Sequence, residues 1–218
     1  MPNRPNAMDT TKMESDLFLE MLEVYINSIL YLREVYPSAI FRRRRIYNTT
    51  AYISIFPSLN KYLLNALKTA QELKAINKLF QVELIIYKRE SQTFDTPDNE
   101  EILERYTFRV EHSENEHSKK PDIELYILKF EEDLRQGLMQ LEQTAKNLSP
   151  LNRETCGFFI QLETTEKSFV NIVTKENSKV DNFPWTLARD KFREKSWDMQ
   201  PVLEVDPFSL LILTPKEL

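Results

Sequence analysis

The carboxylates at positions 131 to 133 are the densest group in this sequence that could do acid–base or metal chemistry. Glu131, Glu132 and Asp133 are consecutive, and paired carboxylates can act as general acid and base or hold a magnesium ion. Consecutive positions on a helix point in different directions, however, so the three groups do not converge on one ligand. A solvated helix face is the favoured interpretation, and a metal-dependent nuclease or phosphotransferase is the alternative.

Histidine, cysteine and glycine are too sparse for other common catalytic sites. His112 and His117 lie five positions apart in a polar segment, far in sequence from the single cysteine, Cys156, whereas a structural zinc site uses four ligands at short paired spacings. The apolar neighbours of Cys156 indicate a buried strand cysteine rather than a nucleophile. Only two glycines are present, so a glycine-dependent phosphate loop cannot be built. The sequence predicts no metal, no cofactor and no enzymatic activity.

Four consecutive arginines, Arg42, Arg43, Arg44 and Arg45, form the strongest local charge. A solvated edge that faces a partner, a nuclear import signal and direct phosphate contact are all consistent with such a run. Proteins that mainly cover phosphate backbones have a strong basic balance, whereas this chain has a net charge of −5 and a pI near 5.3. We therefore predict a basic loop that faces a partner, with DNA contacted only indirectly.

Length and composition are typical of one domain in a reducing compartment. With 218 residues, of which 41% are hydrophobic, the chain can bury one sizeable core. A single cysteine excludes an internal disulfide and fits the cytosol or nucleus. No apolar run reaches the roughly 18 residues that a membrane-spanning helix needs. Residues 1–12 lack an apolar signal core, so we interpret them as a disordered leader.

Hydrophobic periodicity predicts an α+β fold, since apolar residues at three- and four-residue steps indicate helices and β-branched or aromatic runs indicate strands. The helices are predicted at 14–33, at 57–77 and after a capping Asp122. The strands are predicted at 51–56, 80–88, 104–110, 156–164, 168–175 and 209–214. The second and third of these strands should form an antiparallel hairpin. The first helix is apolar on several sides, so we expect it to be central, with Pro37 limiting its end.

The stretch from 176 to 208 fits neither period. It contains Trp185, Trp197 and three prolines. This composition is too apolar for a disordered segment. Periodicity alone therefore predicts no structure for it and no function.

Three blocks of sequence resemble the HORMA-domain family, and within it the accessory subunits of the translesion DNA polymerase zeta. They are "LEVYINSILYLREVYPSAIFRRRRIYN" (22–48), "PSLNKYL" (57–63) and "DNFPWTLA" (181–188). The resemblance implies three helices packed on an antiparallel sheet, followed by a C-terminal safety belt that closes over a partner peptide. It implies a single HORMA domain at 13–218, with a core at about 13–150 and the belt and terminal strands at about 151–218.

The function implied by this resemblance is that of a non-catalytic adaptor in the nucleus. Such an adaptor captures a proline-containing peptide of the catalytic subunit of DNA polymerase zeta under its belt. By motif position, Tyr62 and Trp185 correspond to family residues that contact this peptide, although either could equally be a core aromatic. A spindle-checkpoint or meiotic HORMA adaptor, which captures a different peptide, is the alternative.

Two further surfaces are implied by the resemblance alone. The first is a site for a second partner, the Y-family deoxycytidyl transferase that works with polymerase zeta in translesion synthesis, and Met199, Leu211 and Leu213 fall in that neighbourhood. The second is a homodimer contact on the third helix, where Arg135 is the nearest counterpart of a family arginine. Without the resemblance, Arg135 would be interpreted as a solvated helix residue.

Overall fold

The computed structural model describes residues 7–46, 48–89, 101–110, 123–174, 185–187, 197–205 and 208–215. The helices are α1 (Ala7–Leu32), α2 (Pro57–Ala75), α3 (Ile123–Asn147) and α4 (Glu166–Thr174). The strands are β1 (Phe41–Ile46), β2 (Thr49–Ser54), β3 (Leu79–Lys88), β4 (Glu101–Val110), β5 (Cys156–Thr164), β6 (Trp197–Val205) and β7 (Phe208–Pro215). A short 3-10 turn, Ser38–Ile40, precedes β1.

Two antiparallel sheets result from these strands. Among the described residues β1 pairs only with β2, and the larger sheet has the strand order β5-β3-β4-β7-β6. Helices α1 and α2 pack on each other, α2 also packs on β3 and β5, and α3 packs on α1 and β6. This arrangement confirms the predicted α+β class and the predicted β3–β4 hairpin, with a fourth helix beyond the three expected.

Helix α1 is the centre of the core, as its several apolar sides predicted. Phe18, Leu22, Tyr25 and Ile29 are fully buried. The helix begins at Ala7 rather than near residue 14, since extending an existing helix needs only one hydrogen bond for each added residue. Residues 1–6 of the predicted leader lie outside the described residues. Helix α1 is terminated by Glu34, which has a left-handed conformation (φ 53°), and not by Pro37 as expected.

Helices α1 and α2 end in the same way. Beyond α1, the N–H of Val35 donates to the carbonyl of Leu30 across Glu34 (3.1 Å). Beyond α2, the N–H of Lys78 donates to the carbonyl of Leu73 (2.9 Å), across Asn77 at φ 54°. Bonds that span five residues around a left-handed position satisfy carbonyls that a helix end leaves unpaired. Both termini are therefore set by backbone geometry close to the last apolar turn.

The predicted strand 168–175 is wrong, because this segment forms helix α4. Its valines and isoleucine gave it strand character. Thr165 overrides that preference at the helix start: its Oγ1 accepts a bond from the N–H of Ser168 (3.3 Å) and lies 2.8 Å from the Ser168 Oγ. A threonine that bonds the third amide of a helix is a strong N-cap.

The prediction that the arginine run is a loop is also wrong, because Arg42–Arg45 lie in strand β1. They pair with residues 50–53 of β2, and all four side chains are exposed. A strand whose two faces both carry arginine has no apolar alternation, so the usual signal for a strand is missing. The turn is closed by Asn48 at φ 56°, a conformation that asparagine tolerates well.

The stretch 176–208, for which the sequence predicted no element, contains strand β6 and part of β7. Pro201 lies inside β6, and the register with β7 shifts between Pro201 and Leu203. Proline is tolerated here because β6 is an edge strand of the sheet. Within the described ranges, no helix is long and apolar enough to cross a membrane.

Candidate functional site

The outer edge of β5 is the first component of the candidate site. Among the described residues β5 pairs only with β3, so it is an edge strand. The N–H of Ile160 points away from β3 and donates to the hydroxyl of Tyr62 (3.0 Å). Because N–H and C=O groups alternate in direction along an antiparallel strand, Phe158 and Leu162 also present their backbone groups outward. Such an edge can pair with an additional strand.

Aromatic side chains lie beside this edge. The rings of Tyr62 and Phe158 meet edge to face at 5.6 Å between centroids, and those of Tyr36 and Phe158 meet at 6.0 Å. Burial raises the pKa of Tyr62, although the bond from the Ile160 N–H lowers it. Burial likewise raises the pKa of Tyr36. We call Tyr36, Tyr62 and Phe158 the aromatic cluster. With their pKa values raised, both tyrosines are neutral at physiological pH, so the cluster offers uncharged aromatic surface beside backbone donors and acceptors.

Trp185 belongs to a separate segment that contacts helix α2 two turns beyond Tyr62. Its indole Nε1 donates to the Oγ1 of Thr69 (3.3 Å), and its ring is partly buried against the core. Tyr62 and Thr69 are seven positions apart and so share one face of the helix. Tyr62 and the contact point of Trp185 therefore lie along one face of α2. Both also have the core contacts of the alternative interpretation.

The chain between β5 and β6 joins the two edges of the large sheet. β5 is at one edge of the large sheet and β6 is at the opposite edge. Between these strands the structure describes α4 and residues 185–187, of which Trp185 contacts Thr69 of α2. A chain segment that rests on the helix beside an open strand edge can enclose a peptide on that edge.

The three residues predicted to contact a second partner lie on one face of the sheet. Met199 is paired with Leu213 between β6 and β7, and Leu213 and Leu211 are paired with Arg105 and Thr107 of β4. Cross-strand partners share a face. Met199 is 62% exposed. Met199, Leu211 and Leu213 therefore lie together on this face, and their contact with a second partner stays a prediction.

Charged groups on the same face are held together by Arg105. Its guanidinium lies 5.3 Å from the centre of the Trp197 ring and 3.4 Å from the Glu83 carboxylate. Burial raises the pKa of Glu83, while the Arg105 charge and a hydrogen bond from Thr107 partly oppose the shift. This network ties β3 to β6 across two strands, and it was missed because the four residues are far apart in sequence.

Arg135 is exposed on α3 and is held by its own helix. Its guanidinium makes a bidentate contact with Glu132 (2.6 Å). Bonds from Arg135 and Gln136 lower the pKa of Glu132. Among the described residues, no group of three histidine, cysteine or acidic side chains could hold a metal ion. Cys156 is buried, as predicted, and burial raises the pKa of its thiol. His112 and His117 lie outside the described residues.

The hydroxyl of Tyr62 should contribute measurably to stability. Tyr62→Phe leaves the Ile160 N–H without its acceptor, and we expect the free energy of unfolding to fall by about 1 kcal/mol. Urea denaturation measures the change. The matched control is Tyr36→Phe, which removes a hydroxyl of the same cluster that has no hydrogen bond to a described residue. Equal losses in the two variants would contradict the assigned bond.

Known proteins are similar to this chain in sequence. The HORMA domain profile matches residues 15–173. The "DNA polymerase zeta subunit 2" of Drosophila melanogaster is 35% identical over 174 residues, which cover 80% of each chain. The "Mitotic spindle assembly checkpoint protein MAD2B" of Danio rerio is 26% identical over 180 residues, which cover 81% of this chain and 77% of that protein.

A solved structure agrees at the level of the fold. C. elegans HTP-2 bound to a HIM-3 closure motif superposes with a TM-score of 0.63 at 13% identity, over 92% of this chain and 89% of the other. The profile match extends from α1 into α4 and so includes α2 and β5, the elements that build the candidate site. This chain belongs to the HORMA-domain family.

Proposed function

We propose that this protein is a non-catalytic adaptor of DNA polymerase zeta. It captures a proline-containing peptide of the catalytic subunit between the β5 edge and the chain segment that carries Trp185. The observation that carries this proposal is the contact of Trp185 with Thr69 of α2, the helix whose Tyr62 bonds the outward N–H of Ile160 on edge strand β5. The name of the fly relative, "DNA polymerase zeta subunit 2", supports the choice of partner.

The site suits a peptide with proline for a physical reason. Strand addition supplies backbone hydrogen bonds, and specificity comes from pockets for alternate side chains. A proline is already restricted in φ, so it loses little freedom on binding and packs well against aromatic rings. The aromatic cluster and Trp185 provide such rings at the edge. Enclosure by the belt then slows release, because the peptide cannot leave until the covering segment moves.

The other surfaces complete the proposed adaptor. The face with Met199, Leu211 and Leu213 contacts the Y-family deoxycytidyl transferase, which joins the two polymerases in bypass of damaged DNA. Arg135 contributes to a homodimer through α3. The protein acts in the nucleus. An exposed methionine beside leucines is consistent with a docking surface, since flexible apolar side chains adapt to a partner.

Loss of the Trp185 ring should weaken peptide capture strongly. For a labelled peptide with the proline-containing motif of the catalytic subunit, we expect Trp185→Ala to raise the Kd by roughly 30-fold or more. A buried aromatic anchor typically accounts for about 2 kcal/mol or more of binding free energy. Fluorescence anisotropy with purified full-length chain measures the Kd. Circular dichroism verifies that the variant is folded.

The control for this measurement is Met139→Ala. Met139 is a large apolar residue, 55% exposed, on α3 rather than α2, and its loss should leave the Kd unchanged. Failure of the unaltered protein to bind the peptide would exclude this partner. An unchanged Kd for Trp185→Ala would exclude the role of Trp185. Binding of a checkpoint-protein peptide instead of the polymerase peptide would favour the spindle-checkpoint alternative.

A further inference from the structure

We propose that the β1–β2 hairpin binds the phosphate backbone of nucleic acid. This inference goes beyond peptide capture, because it gives the chain a direct contact with DNA of its own. The acidic charge of the whole chain predicted that DNA is contacted only through a partner. The distribution of the charge and the geometry of the hairpin lead to a different result.

Positive charge is segregated in this part of the chain. Residues 35–71 contain six basic residues, namely the four arginines, Lys61 and Lys68, and no acidic residue. The chain as a whole has a net charge of −5. The first turn of α2, which follows the hairpin, also has no acidic residue, so the positive end of its helix dipole is not neutralised locally. The four arginines of β1 are therefore a local concentration of positive charge in a net acidic protein.

The four arginines are available for an external anion. All are exposed, and none has a carboxylate within ion-pair distance among the described residues. Their hydrogen bonds run to neutral groups: Arg43 donates to Thr50 Oγ1 and Arg45 donates to Asn48 Oδ1, each at 3.1 Å. The positive charge of the run is therefore not compensated within the described structure.

Carboxylates near the base of the hairpin already have other partners. Tyr31 stacks on Tyr52 of β2 at 3.6 Å between ring centroids. Burial raises the pKa of Tyr31, and Tyr52 and the nearby charges of Glu34 and Glu142 raise it further. Glu34 is paired with Arg153 (3.3 Å) and Glu142 with Lys146 (2.8 Å). These two acids are therefore paired with basic residues other than the four arginines.

The shape of the hairpin favours nucleic acid over an acidic protein segment. β2 packs on α1, which makes β1 the outer strand. By strand alternation, Arg42 and Arg44 lie on one face, and Arg43 and Arg45 lie on the other. A single acidic peptide would meet only one of these faces. The grooves of duplex DNA are bordered by two lines of phosphates, so the outer strand β1 can use arginines on both of its faces at once.

The binding should be independent of sequence and steeply dependent on salt. With a fluorescein-labelled 25-base-pair duplex of arbitrary sequence, four phosphate contacts predict a slope of about −3.6 for log K against log salt. The affinity should then fall on the order of 100-fold between 50 and 200 mM salt. Changing all four arginines to glutamine should remove most of this slope, at about one unit for each residue. Anisotropy titrations of the full chain give these values.

A charge-matched variant separates this site from general electrostatics. Four exposed lysines outside the stretch, Lys78, Lys88, Lys129 and Lys167, are changed to glutamine, which alters the net charge equally. This variant should keep the slope of the unaltered protein. Equal loss in both variants, no DNA binding by the unaltered protein, or equally tight binding of a glutamate-rich peptide of the same charge would overturn the proposal. Unchanged thermal melting of the arginine variant, expected for exposed side chains, shows that folding is not the cause.

Discussion

Replacement of Arg33 with methionine should lower the free energy of unfolding by about 3 to 5 kcal/mol, a large effect for a single side chain. Arg33 follows the last residue of α1 and is 5% exposed. Its Nε lies 3.0 Å from both carboxylate oxygens of Glu104, and a terminal nitrogen lies 2.6 Å from one of them. Without the guanidinium, Glu104 would be a buried carboxylate with no charge to compensate it.

The network around this ion pair is saturated. Arg33 also donates to the carbonyls of Ala145 and Ser149 at the end of α3. The hydroxyl of Tyr106 donates to Glu104 (2.7 Å), and burial, followed by the Glu104 charge, raises the pKa of Tyr106 well above its usual value. The network therefore joins α1, β4 and α3 at one point. Its loss should affect the packing of all three elements.

An exposed ion pair serves as the control for Arg33. Arg153→Met removes the contact with Glu34, whose side chain is 74% exposed, and should change stability by less than about 1 kcal/mol. A double variant, Arg33→Met with Glu104→Leu, should recover part of the loss because it leaves no buried charge. Chemical denaturation measures all three. A loss for Arg33→Met no larger than that for Arg153→Met would show that the network contributes little.

The parts of the fold that follow from local periodicity were predictable. Leu59, Leu63 and Leu67 recur at four-residue spacing and are all buried on α2. The alternation of Tyr106 and Phe108 predicted the strand β4, which is buried more fully than expected. In these elements the local preference and the tertiary environment agree, so the sequence contains the needed information. The helices α1 to α3 and the hairpin of β3 and β4 were accordingly correct in type.

The errors arose where local preference and the fold disagree or where the information is not local. The β-branched residues of α4 predicted a strand, although the N-cap Thr165 was a readable signal for a helix. The strand β1 was missed because Arg42–Arg45 are consecutive, so apolar and polar residues do not alternate along it. Glu104 is 71 positions from Arg33, and no pattern within a window of ordinary length can pair them.

The candidate site was only partly predictable for the same reason. Tyr62 and Trp185 are 123 positions apart, and composition alone could not distinguish either from a core aromatic. They were selected by resemblance to a family. In the structure Tyr62 is part of α2, and Trp185 contacts the same helix at Thr69. The remaining members of the aromatic cluster, Tyr36 and Phe158, were missed, since their relation to Tyr62 depends on how β5 meets α2. The open edge of β5 is likewise a property of sheet order.

Two proline substitutions on neighbouring residues of β5 should have opposite consequences, and they test the use of this edge directly. The N–H of Leu162 points outward, in phase with Ile160, whereas Gln161 is paired inward with Glu83 of β3. Leu162→Pro removes an outward donor and leaves the ladder to β3 intact, which an edge strand tolerates. Gln161→Pro breaks the ladder and should lower the free energy of unfolding by roughly 3 kcal/mol or more.

Peptide affinity is the second measurement on these variants. If the peptide adds to the β5 edge, Leu162→Pro should stay folded and bind it at least about tenfold more weakly, because one backbone bond is lost and the ring obstructs the approaching strand. Leu162→Ala is the matched control, since it loses the same side chain but keeps the N–H, and its affinity should change little. Equal affinities for Leu162→Pro and Leu162→Ala would place the peptide elsewhere, even if Trp185 were needed for binding. A folded chain with intact Trp185 that no longer binds would instead show that the strand edge and the belt act together, since neither the enclosing segment nor the backbone ladder alone holds the peptide.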